Sequence, residues 1–187
     1  MKKLSTLWMG AVLMLLLNGC SNDDDVWTAG GEAIDSPRAL YAIVKPEEAQ
    51  SIDIMPNDYA ITLDNIIAVN PEKGEFKMKD TEKIDSKAFP IPTQYVIQFY
   101  SGEDFLFEVR LHSYLSSMLP HGLTFCHFMT DKNGLARYDL GATRLINLDG
   151  TIEGNPTNQQ EQGIKRMYEI LQQAGKIRAN IDYDFSF

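Results

Sequence analysis

Apolar and polar residues alternate with a period of two over most of the chain, which is the pattern of half-buried β-strands; a helical period occurs in one place. Residues 38–44 read as a short apolar strand. Residues 59–69 hold another, with Tyr59, Ile61 and Leu63 on one side and Thr62 and Asp64 on the other. The stretch 71–93 is rich in Lys, Glu and Asp and carries Pro71, Pro90 and Pro92, so it reads as a long exposed connection, the most mobile part of the domain, with one short strand at 75–79. Residues 94–100 and 105–112, joined by a turn at 101–104, form the clearest hairpin: Phe105, Phe107, Val109 and Leu111 take one face, and Glu108, Arg110 and His112 the other.

A second meander follows at 123–129, 135–140 and 143–148. Its turns carry Asn133-Gly134 and Asp149-Gly150, pairs that tolerate the positive φ angles of a tight hairpin. Residues 123–129 are apolar on both faces, as in a central strand. The single helix is announced by Thr157 and Gln160 in capping-box spacing. Its apolar stripe is Ile164, Met167, Tyr168 and Leu171, and Gly175 supplies a C-terminal stop. After it, Ile177, Ala179, Ile181, Tyr183, Phe185 and Phe187 alternate strictly with polar residues and predict a final strand. No internal repeat is present. The expected fold is therefore mainly β (α+β): an antiparallel β-sandwich with one C-terminal amphipathic helix and a final strand, or alternatively a lipocalin-like meander barrel.

The 187 residues are sized for one domain, placed at 38–187. With 17 Lys+Arg against 26 Asp+Glu the net charge is -9, which argues against nucleic acid as a partner, because affinity for phosphate backbones comes from basic side chains displacing counterions. Two cysteines are too few for a disulfide scaffold or a multi-thiolate zinc site.

The N-terminal residues add an address. Lys2 and Lys3 precede an uncharged, mostly apolar run at 7–17, a secretory leader occupying 1–19. As a helix the run is about 16 Å long at ~1.5 Å per residue, against a bilayer hydrocarbon core of ~30 Å, so it does not span. Leu17, Asn18, Gly19 and Cys20 resemble the lipobox of bacterial lipoproteins. That resemblance implies cleavage before Cys20 and acylation of its thiol and new amino group, with the several chains that stable anchoring needs. Loss of Lys2 and Lys3 leaves 15 basic against 26 acidic residues, a mature charge of -11. The acidic run after Cys20, Ser21-Asn22-Asp23-Asp24-Asp25, resembles the export tag of Bacteroidetes lipoproteins displayed on the outer face of the outer membrane. Residues 20–37, with Gly30 and Gly31 adjacent, then read as a lipidated flexible tether.

Candidate chemistry in the domain is sparse. Cys126 and His127 are neighbours, so on a strand they point to opposite faces; a Cys-His dyad would need His112 or His121 brought across. Those three histidines fall within sixteen residues, with Glu108 or Asp131 as possible further ligands, but their spacings do not match the short pairs that one element presents to an ion, so no metal or cofactor is expected. The bland expectation is a hairpin with histidines on its solvent face, leaving Glu108, His112 and His127 as a candidate polar cluster. Asp131, Asn133 and Gly134 lack the rest of a calcium loop and read as a turn. No phosphate-cradling loop, Gly-x-Ser-x-Gly elbow or His-Glu zinc-protease motif occurs. The terminal alternation resembles the last strand of an outer-membrane barrel, but the other strands are too short for a lipid-facing band.

The sequence thus points to a surface-anchored, non-catalytic binding or accessory module of an outer-membrane capture or adhesion complex, with a glycan or peptide ligand. The alternatives are a secreted hydrolase using Glu108, His112, His127 or Cys126, and an envelope or pilus subunit that assembles through its final strand. Eight tyrosines offer stacking surfaces for sugars, whereas Trp27, in the tether, is the one tryptophan left after the leader.

Overall fold

The computed structural model describes residues 28–29, 32–33, 36, 38–49, 55–88, 95–116, 122–143, 145–146 and 152–185. The leader, Cys20, His121 and the Asp149-Gly150 turn lie outside them. Among the described residues no helix is long and apolar enough to cross a membrane.

A two-residue ribbon, β1 (Thr28–Ala29) with β2 (Glu32–Ala33), precedes the domain. Four hairpins then follow. They are β3 (Tyr41–Pro46) with β4 (Tyr59–Thr62), β5 (Ile66–Asn70) with β6 (Glu75–Met78), β7 (Tyr95–Ser101) with β8 (Asp104–Ser113), and β9 (Gly122–Thr130) with β10 (Ala136–Thr143). The first and third build one half of an eight-stranded sheet and the second and fourth the other, in the order β4-β3-β7-β8-β9-β10-β6-β5. Every pairing is antiparallel except β8 with β9, where the halves join in parallel. A small pair, β11 (Leu145–Ile146) with β12 (Ile152–Glu153), leads into helix α2 (Asn158–Gln173).

The mainly β class and the C-terminal helix hold, and β9 is central as its two apolar faces require. Thr157 caps α2 as its spacing predicts: its hydroxyl accepts from Gln160 N–H while the Gln160 side chain accepts from Thr157 N–H. Gly175, at φ +66, ends it.

Four expectations are corrected. The strand expected at 59–69 breaks at Leu63-Asp64-Asn65, because the Asn65 side chain accepts from Thr62 N–H at 2.8 Å and closes a turn; β4 and β5 go to opposite halves. The stretch 71–93 is no loose connection over its described part. Phe76, Met78 and Ile84 are fully buried, and Glu82–Ala88 forms a second helix, α1, held at its start by Thr81. A bulge in the β7–β8 hairpin pairs Phe99 with Phe107 but Tyr100 with Phe105, so Phe105 leaves the apolar face and lies 41% exposed against Tyr100. Finally, the segment after α2 makes one parallel bridge, Val69 with Ile177, in place of a full strand.

Both helices contribute to one core. Phe99 stacks on Phe107 with ring centres 4.7 Å apart, Phe125 stacks on Tyr138 at 4.8 Å, and Phe76 meets Phe125 edge-on at 5.4 Å. Ile84 and Ala88 of α1 and Met167, Ile170 and Leu171 of α2 close over them. Burying each such large side chain stabilises the fold by about 1.5–3 kcal/mol.

Candidate functional site

A polar cleft lies where β9 stops short of β8. Strand β9 pairs with β8 from Arg110 to Ser113 only. Below that point helix α2 takes the vacant side: Gln160 Nε2 donates to the Glu108 carbonyl at 2.9 Å, and Gly163 packs against the Leu106 carbonyl. A Cβ at Gly163 would sit 2.2 Å from that oxygen, so glycine here is a condition of the close approach, despite its cost of about 1 kcal/mol in a helix interior. The junction leaves a cleft of about 280 Å³ with Glu47, Glu108, Arg110, Asn155 and Gln160 on its walls and Val96 and Leu123 among its apolar lining.

Pairing across β7 and β8 orders this cleft. Gln98 faces Glu108 and donates to its Oε2 at 2.7 Å, while the Tyr100 hydroxyl donates to Gln98 Oε1 at 2.8 Å. Burial, and then the charge of Glu108, raises the Tyr100 hydroxyl above the usual tyrosine range, so it stays protonated and available to donate. Arg110 grips Glu47 Oε1 through Nη2 at 2.7 Å and Nε at 3.2 Å. Among the described residues Glu108 Oε1 and the Asn155 amide make no hydrogen bond, and both residues line the cleft. Next to it runs a line of aromatic rings: Tyr59 on Tyr41 at 4.2 Å, Tyr41 on Tyr100 at 5.3 Å, and Phe105 edge-on to Tyr100 at 5.5 Å.

Glu108, His112 and His127 are not brought together. Glu108 and His112 share a face of β8 but are four residues apart along it, while His127 pairs with Ser113 on the opposite, helix-covered face. Nor are the histidines on a solvent face. His112 is 4% and His127 8% exposed, and burial lowers both pKa values below the ordinary histidine value, for His127 against the opposing pull of Asp85. His127 Nε2 lies 3.3 Å from Thr130 Oγ1 and its ring 5.1 Å from that of Tyr138, whose hydroxyl donates to the Asp85 carboxylate.

Parallel pairing does what adjacent residues could not: it sets His112 opposite Cys126, with Asp139 on the other side of Cys126 and Glu75 beyond. The row is nevertheless poorly suited to nucleophilic chemistry. Burial, reinforced by the negative charge of Asp139, pushes the Cys126 thiol up to about 11, and Asp139 is held by Arg137 through contacts of 3.0 and 3.2 Å. At neutral pH roughly one molecule in ten thousand carries the thiolate. Asp131 is a turn residue as expected: its Oδ1 accepts from Asn133 and Leu135 N–H groups, which outweigh burial and hold its carboxyl below the usual range. Among the described residues no three His, Cys, Asp or Glu side chains are placed to hold one metal ion.

Sequence reasoning named Glu108 but missed Gln98, Glu47, Asn155 and Gln160 as its neighbours. The hairpin register carries the signal for Gln98; nothing in the order of residues places the start of α2 beside β8. Comparison with protein-family models, with curated proteins and with solved structures finds no match.

Proposed function

We propose that this protein is a lipid-anchored module of the outer-membrane surface, held out from the membrane by its acidic tether and binding a neutral, hydroxyl-rich ligand, a saccharide, in the cleft between β8 and α2. The observation that carries the address is the lipobox-like Leu17-Asn18-Gly19-Cys20 followed by three aspartates. The choice of ligand follows from the donor set. Arg110 is engaged by Glu47, Glu108 is half-engaged by Gln98, and the Glu108 Oε1 and Asn155 groups suit hydroxyls that both donate and accept. The protonated state of Cys126 and the separation of Glu108, His112 and His127 favour binding over hydrolysis.

Two measurements test the reading. Mass spectrometry of native protein is expected to show an acylated Cys20 as the first residue; a free thiol with the leader retained would remove the anchor. A glycan array probed with the full chain is expected to give saccharide signals that Glu108→Gln and Asn155→Ala weaken at least tenfold. Array signals equal for wild type and both variants, or none, would remove the cleft as the ligand site while leaving the anchor untouched.

A further inference from the structure

The bulge in β8 has two results. Its extra residue, Leu106, is buried, and the Leu106 carbonyl is the group against which Gly163 packs, so α2 seats on the bulge beside the cleft. The same bulge sets Phe105 opposite Tyr100, and so on the face of the sheet that carries Gln98 and Glu108. Phe105 keeps 41% of its surface in water, edge-on to the Tyr100 ring at 5.5 Å. Tyr100 joins the two parts: its ring packs against Phe105, and its hydroxyl donates to Gln98, which donates to Glu108.

We propose that the saccharide site continues out of the cleft along this face to Phe105, which stacks on a sugar ring, so that the ligand is an oligosaccharide chain and not a single sugar. This rests on the reading of the cleft as a saccharide site. Three observations carry the extension. First, the face is amphipathic in the way a sugar is: an exposed aromatic ring covers the C–H groups of a pyranose, while Glu108 takes hydroxyl protons and Asn155 both gives and accepts. Second, Glu108 and Phe105 are separated by two residues on β7 and three on β8, about 7 to 10 Å at ~3.3 Å per residue, so a single ring touches one or the other and a chain touches both. Third, the platform is set in advance. Tyr41 lies between Tyr59 and Tyr100 at 4.2 and 5.3 Å, and its hydroxyl donates to the Gly102 carbonyl at 3.0 Å, as does Arg38 Nη2 at 3.3 Å, which fixes both the ring behind Phe105 and the turn before it.

The fold by itself gives Phe105 no reason to be outside. Without the bulge, Phe105 would share a face with Phe107 and Val109, among the core residues. The strand instead buries the smaller Leu106 and leaves the larger ring at the surface, beside the hydrogen-bonded chain that ends on Glu108. Bulges re-aim side chains in this way next to binding sites.

The test is a glycan array carrying each saccharide at lengths from one to six units, probed with the full chain in detergent as wild type, Phe105→Ala, Phe105→Trp and Glu108→Gln. Phe105→Ala is expected to lower the signal from chains of four to six units at least tenfold and to leave that from one and two units within twofold. Phe105→Trp, which keeps a stacking ring, is expected to retain the long-chain signal, and Glu108→Gln to weaken every length. Phe105→Ala equal to wild type at every length, with Glu108→Gln still weakened, would overturn the extension and leave the cleft as the site. Equal losses at all lengths with Phe105→Ala would overturn it too, because a platform outside the cleft is not felt by a single sugar. No saccharide signal, or signals that Glu108→Gln leaves unchanged, would remove the reading of the cleft and this extension with it.

Discussion

β8 and the segment after Gly175 are both alternating stretches near the core, and they differ in what lies beside them. β8 pairs with β7 from Asp104 to Arg110; its other side is covered by β9 at one end and α2 at the other. The C-terminal segment bonds the backbone of one edge residue, Val69, and the side chain of the next, Asn70, and then crosses side chains and isolated carbonyls. Alternation specifies that a segment will be half-buried; the neighbours on each side decide whether its backbone enters a ladder. The stability of the two regions should differ accordingly.

The largest effect should come from the β8 side. Phe107 is 1% exposed and stacks on Phe99, so Phe107→Ala is expected to cost about 3–5 kcal/mol by denaturant unfolding, through lost burial and a cavity. Gly163→Ala is next. On an exposed helix this change stabilises by about 1 kcal/mol. Here the added Cβ meets the Leu106 carbonyl at 2.2 Å, and a loss of about 1–3 kcal/mol is expected. A neutral or stabilising result would mean that α2 does not seat on β8 as closely as the geometry requires.

A third effect is read in pH. His112, at the end of β8, and His127 opposite Ser113 both have lowered pKa values from burial. As pH falls below about 6.5 the unfolded chain takes up protons that the folded chain does not, so stability should decline by up to about 1.4 kcal/mol per pH unit for each histidine until its folded pKa is reached. Above about pH 9 the sign reverses, because the raised pKa of Cys126 lets the unfolded state lose its proton first. His112→Asn should flatten the acid limb, and a limb unchanged by that substitution would show that His112 is not buried neutral.

The same distinction between pattern and neighbours explains what was legible in advance. The β7–β8 and β9–β10 hairpins follow from alternation and turn residues, and α2 follows from Thr157, Gln160 and its apolar stripe. The second helix did not, since Glu82–Ala88 carries only Ile84 and Ala88 as buried positions, too short a stripe to show a period. β6 was legible only as a short strand, because Phe76 and Met78 alternate with Glu75 and Lys77 among many charges. The cleft was the least legible part. Glu108 sits on a predictable polar face, but its neighbours Asn155 and Gln160 arrive through the packing of α2 against the part of β8 that β9 leaves uncovered, a tertiary event with no local signature.

The smallest expected effect belongs to the C-terminal segment and sharpens the comparison most. Burial, followed by the charge of Glu75, raises the Tyr183 hydroxyl well above its ordinary range, and it donates to the Phe76 carbonyl at 3.2 Å. Tyr183→Phe keeps the ring, its packing and its place beneath the Lys77 ammonium, and removes the hydroxyl's bond to the Phe76 carbonyl together with its interaction with Glu75. Global stability should therefore fall by no more than about 0.5–1.5 kcal/mol. Local opening should change in a different place from the Phe107 variant: hydrogen exchange at Arg178 and Val69 N–H, which both bond across the β5 edge, should speed up, while Val109 N–H should be unchanged. Equal acceleration at all three amides would mean that the segment opens only with the whole domain and is as firmly built in as β8.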